Sequence, residues 1–98
     1  MKIDTYTTNA GMKFKFGFEE RKVNQEKRFI VLILDQPDFA GRDDSLHATH
    51  RIREGDHWLI DWPGPVPTLD DAKIVAACWS DLTERYIIHG LPFSENQN

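Results

Sequence analysis

TLDDAKIVAACWSDLTERYIIHG, residues 68–90, is the stretch whose reading decides the fold. Stepping by about 100° per residue gathers Leu69, Ala72, Val75, Ala76, Trp79, Leu82, Tyr86 and Ile87 on one side of a helix. Lys73, Ser80, Asp81, Glu84 and Arg85 fall elsewhere. Thr68 is placed to accept from a first-turn amide as N-cap, and Asp70 and Asp71 set negative charge against the positive end of the helix dipole. At the far end Gly90 suits the left-handed residue that closes a helix, His89 sits in the last turn, and Pro92 forbids continuation. A span of about 21 residues measures roughly 31 Å, enough to cross a sheet.

Working outward from the helix, almost everything before it reads as strand. Residues 63–67, Pro-Gly-Pro-Val-Pro, can continue neither strand nor helix, so they form a stiff connector that lets the chain leave the sheet. Residues 2–8 end at the turn cluster Asn9-Ala10-Gly11. Beyond it Met12, Phe14, Phe16 and Phe18 alternate with Lys13, Lys15, Gly17 and Glu19, a β-hairpin with one apolar face. The polar residues 20–26 read as a charged turn. Residues 29–34, Phe-Ile-Val-Leu-Ile-Leu, are apolar at every position, which fits a strand buried on both faces. A single helix covers one face only, so the other face of this strand needs a second cover, such as a loop, a second chain or a ligand.

Residues 36–45 carry the Pro, Gly and Asp content of a loop, with Phe39 as its anchor in the core. Residues 46–52 and 57–62 read as a second hairpin around Arg53-Glu54-Gly55. A three-residue loop with Gly55 left-handed pairs Ile52 with Asp56 and unites Leu46, Ala48, His50 and Ile52 with Trp58, Ile60 and Trp62 on the helix side. The expected architecture is α+β, an antiparallel sheet of about five strands (two hairpins plus a central strand) in residues 2–62. One long C-terminal helix packs across one face of it. Residues 1–98 form one domain on this reading, and the tail, residues 94–98, frays.

Bulk properties narrow the function without defining it. The net charge of −4 and pI near 5.5 argue against a dedicated nucleic-acid binder. Cys78 is the single cysteine and cannot make an internal disulfide. No signal peptide or membrane span is evident, so a cytoplasmic setting is expected. No cofactor-binding motif is present, and no cofactor is expected.

The hairpin register above places His47 opposite Asp61, Thr49 opposite Leu59 and Arg51 opposite His57, on the face away from the helix. A carboxylate beside an imidazole orients the ring and raises its basicity, as a general base requires. His47 and Asp61 are therefore the candidate catalytic pair, although opposite charges across a ladder are also ordinary surface features. Thr49, Arg51, His57 and Leu59 are the candidate binding residues of that face. No nucleophile accompanies the pair: Cys78 projects from the helix flank, and no serine sits at a nucleophile elbow. Four histidines do not make a metal site here. His47 and His50, three apart on a strand, would point to opposite faces. Lys13, Lys15, Arg51 and Arg53 give the outer face charge without the exposed aromatic platforms that single-stranded nucleic acid requires.

Two functional classes follow. One is a non-enzymatic binding or interaction protein, a homodimer using the sheet face opposite the helix, with a small-molecule or protein partner also open. The other is a small hydrolase or isomerase built on His47 and Asp61. Unaccounted apolar surface at Ile74, Ala77, Ile88 and the second side of the central strand favours the first, because association hides it at least cost.

Overall fold

The computed structural model describes residues 1–93; the expected fraying of residues 94–98 lies outside the described residues. Five strands, β1 (Lys2–Thr7), β2 (Lys13–Val23), β3 (Glu26–Asp35), β4 (Arg51–Glu54) and β5 (His57–Ile60), form one antiparallel sheet in the order β1-β2-β3-β5-β4. A short helix, α1 (Leu46–Thr49), precedes β4, and the long helix α2 (Leu69–His89) packs against the sheet. The class is α+β, as the sequence indicates.

Helix α2 begins and ends at the expected residues. The Thr68 hydroxyl accepts from the Asp71 amide at 3.0 Å, and Gly90, at φ 70°, donates its N–H to the Tyr86 carbonyl at 2.8 Å. Trp79 is wholly buried at the centre of the core. It meets Phe14 and Phe16 edge-on, with centroids 5.8 and 6.1 Å away, a favoured aromatic geometry. Those phenylalanines come from the alternating run of β2, and Phe29, Val31 and Ile33 share their face through the β2–β3 register. The buried stripe of α2 differs from the periodicity reading at two polar positions. Ser80 and Thr83 are fully buried, while Leu82 and Ile87 are only partly so. Their hydroxyls donate back to the carbonyls of Ala76 and Trp79, each at 2.8 Å, so neither is left unsatisfied.

Two segments correct the sequence reading. Residues 20–26 are not a charged loop: β2 runs on to Val23, and a tight turn at Asn24 and Gln25, both left-handed, leads into β3. Residues 46–49 are not strand. Ser45 caps α1, its hydroxyl accepting from the Ala48 amide at 3.3 Å, and left-handed His50 ends it. The serine cap satisfies a first-turn amide within the segment itself. Trp79 Nε1 donates to the Thr49 carbonyl at 3.0 Å and the Tyr86 hydroxyl to the Asp43 carbonyl at 2.7 Å, which tie this segment to α2. Phe39 is buried, as expected of the loop's anchor.

The second hairpin therefore turns on Gly55-Asp56 rather than on a three-residue loop, with Glu54 paired to His57 and Ile52 to Leu59. Gly55, at φ 58°, supplies the left-handed first position that a two-residue turn with this geometry needs. This register exchanges the faces expected for β4. Arg51 and Arg53, not Ile52, lie beside Trp58 and Ile60 on the helix side. Val66 of the connector is buried and accepts from the Phe29 amide at 2.8 Å, fastening it to β3. Among the described residues no helix is long and apolar enough to cross a membrane.

Candidate functional site

The sheet has two distinct surfaces that packing leaves available. The first is the face opposite α2. Strand registers place Ile3, Glu19, Arg21, Ile30, Leu32, Leu34, Ile52, Glu54, His57 and Leu59 on it. No helix or loop strand lies across this face, yet Leu32 and Leu59 are only 3% and 6% exposed. Their cover is an ion-pair arch. Arg21 on β2 donates to both Glu54 oxygens on β4, at 2.6 and 3.0 Å, and to Glu19 at 3.1 Å. Strands β3 and β5 lie between β2 and β4, and the registers set Arg21 level with Arg28 but Glu54 beyond the Ile33–Trp58 pair. In a flat sheet the two residues would therefore stand about 14 Å apart across the strands and about 20 Å apart along them. The contact therefore requires the β2–β3 hairpin to curl over this face and make it concave, with Leu32 and Leu59 on its floor.

The bidentate geometry is the strong form of an arginine–carboxylate contact. The arginine holds the Glu54 carboxyl below its usual value, and the two glutamates push the Arg21 guanidinium up. Around the arch the surface is apolar and open: Ile3 is 51% exposed, Ile52 44% and Leu34 38%. Met1 extends it, with its sulfur against Gly17 where a side chain would otherwise stand.

The second surface is a polar and aromatic corner at the end of β3. Arg51 is 8% exposed. Its guanidinium lies 4.1 Å from the Trp58 ring centroid and 4.9 Å from that of Phe39. Its Nε donates to the Thr49 hydroxyl and its Nη2 to the Asp44 carbonyl, each at 2.8 Å. Arg53 stacks on the same indole at 4.5 Å. Burial pushes the Arg51 guanidinium down from its usual value, with the Asp44 charge opposing this and Arg53 adding to it. Among the described residues neither arginine has an ion-pair partner.

The expected catalytic residues do not stand opposite each other on a strand ladder. His47 lies exposed on α1, while Asp61 follows β5 and uses its backbone N–H to bond the His50 carbonyl at 2.8 Å. The strand ladder that would have set them opposite each other does not form. His50 stacks on Phe93 at 5.1 Å rather than packing on Trp58. Thr49 is fully buried beneath α2, and Arg51 stands on the helix side, so neither shares a face with His57 and Leu59. His57 and Leu59 do lie on the face opposite α2. No cluster of three or more His, Cys, Asp or Glu side chains suited to a metal occurs among the described residues.

Arg21 and Glu54 sit in polar runs with no apolar period, and Glu19 stands at the end of the alternating run as one more outward polar residue, so none of the three carries a local sign of the arch. The Asn24-Gln25 dipeptide after Val23, with Asn suited to a left-handed position, was the available sign that a strand continued to it. No protein-family model, curated protein or solved structure matches the chain.

Proposed function

We propose that this is a non-enzymatic interaction protein that forms a homodimer through the sheet face opposite α2. The observation that carries the reading is the ring of exposed Ile3, Leu34 and Ile52 around a concave floor that the chain's own helices leave open. Exposed aliphatic side chains singly need no explanation, but several on one uncovered face mark an interaction surface. A twofold arrangement is self-complementary, so one patch suffices for both partners. Each charge of the arch, Arg21, Glu54 and Glu19, is paired within the chain, which lets it enter such an interface without leaving an unpaired ion. Cys78 is free and exposed, in keeping with a reducing, cytoplasmic setting.

Size-exclusion chromatography with light scattering across a wide concentration range tests this. The parent chain should run as a dimer and Ile52→Asp as a monomer. Ile74→Asp, on the outer side of α2, should leave the dimer intact. A parent chain that is monomeric at every concentration, or dissociation by Ile74→Asp and not by Ile52→Asp, would refute the assignment.

A further inference from the structure

At the end of β3, where the chain leaves the sheet, Leu34, Asp35, Gln36, Asp38, Arg51 and Trp58 line an open depression of about 430 Å³. That volume is at the lower end of the range for small-molecule sites. Three features of its wall are left incomplete by the fold. Arg51 is a buried cation whose partners are a hydroxyl, a carbonyl and two aromatic faces, with no carboxylate paired to it. The Asp44 charge offsets this burial only from a distance, and a buried charge without a directly paired carboxylate is costly. The Gln36 Oε1 atom is buried and accepts no hydrogen bond, while its Nε2 is spent on the Pro37 carbonyl at 3.0 Å. Asp35 and Asp38 each turn one oxygen onto a neighbouring backbone amide, Gln36 and Ala40, and pair with no cation among the described residues.

A purely anionic ligand would satisfy Arg51 but face two carboxylates, and a purely cationic one the reverse. We infer that the depression binds a small zwitterion of the α-amino-acid class, its carboxylate on the Arg51 guanidinium and its ammonium toward Gln36 Oε1 and the Asp35 and Asp38 carboxylates. Trp58, held by the two arginines, forms the apolar wall for the ligand's carbon skeleton. Leu34 is common to its wall and to the rim of the proposed dimer face, but the polar groups argued here lie beyond that rim, and the inference does not depend on the dimer.

The test is titration of the isotope-labelled chain with each proteinogenic amino acid, followed by amide correlation spectra, with acetate and methylammonium as half-ligand controls. At least one amino acid should give saturable shifts centred on the Gln36 side-chain amide, the Arg51 Nε–H and the Trp58 indole. It should bind at least about tenfold more tightly than either half-ligand, the effect of one or two buried polar contacts. Gln36→Met, at a half-buried position outside the core, should weaken binding about tenfold while leaving the spectrum folded. Arg51→Lys should weaken it further by removing the planar fork. Absence of saturable shifts at millimolar concentration, equal binding of acetate and the best amino acid, or an unaffected Gln36→Met variant would each overturn the inference.

Discussion

Trp79 holds together parts of the chain that are far apart in sequence, and its replacement can be costed from its surroundings. The side chain is fully buried, packs edge-on against Phe14 and Phe16 and lies 6.4 Å from the Phe93 centroid. Its Nε1–H also satisfies the carbonyl of Thr49, itself fully buried. Trp79→Ala removes the ring and opens a cavity, a change that costs about 3 to 5 kcal/mol. Trp79→Phe keeps an aromatic ring on the phenylalanine pair but orphans the Thr49 carbonyl, which costs about 1 to 3 kcal/mol. Whole domains of this kind are stable by about 5 to 15 kcal/mol, so the alanine variant should sit near the edge of folding.

Urea unfolding followed by far-ultraviolet circular dichroism measures both variants, since the signal does not depend on the indole being removed. For a slope of about 1.5 kcal/mol/M, Trp79→Ala should lower the midpoint by roughly 2 to 3 M and Trp79→Phe by roughly 1 to 2 M. In hydrogen exchange the Phe variant should also lose protection first in residues 46–50, which that bond ties to α2. An alanine variant within about 0.5 kcal/mol of the parent would refute the placement of α2. A phenylalanine variant as stable as the parent would refute the tie to α1 alone.

Gly90→Ala should destabilise by about 1 kcal/mol or more in the same assay. Gly90 lies at φ 70°, and an added Cβ would stand 2.7 Å from the Arg42 Nη1 atom, which belongs to a side chain bonded to the Ile87 carbonyl at 3.3 Å. Glu54 should leave an acid signature. Its carboxyl is held below the usual value by Arg21, so the folded state binds its proton less readily than the unfolded state. The arch therefore contributes fully above the ordinary glutamate value and is lost as pH falls through the lower, folded value. Stability measured against pH should fall less steeply through that acid window in Glu54→Gln than in the parent. Parallel curves would show that the arch does not persist in solution.

The features of this chain that a single local rule governs are legible in its sequence. Thr68, Asp70, Asp71 and Gly90 mark helix ends through hydrogen bonds made within a few residues, and the four-residue alternation around Phe14 needs only the pleat of one strand. The proposed site was far less legible. Arg21 and Glu54 stand in polar runs, and their arch exists because two strands that never pair are brought together by curvature of the whole sheet. Gln36 Oε1 is conspicuous only once the depression around it is known.

The sequence by itself determined the α+β class, the extent of α2, the apolar faces of β2 and β3, and Trp79 as the centre of the core. These depend on periodicity and on capping, which are written in neighbouring residues. Tertiary structure alone decided that residues 46–49 coil into α1 and that Gly55-Asp56 forms the turn. It thereby set Arg51 inside beside Trp58 and put His47 on a helix rather than on a ladder with Asp61. A one-residue change of register reverses every side chain of a strand, and the register here is settled by partners distant in sequence: the Trp79 indole on the Thr49 carbonyl, and the aromatic faces of Phe39 and Trp58 on Arg51.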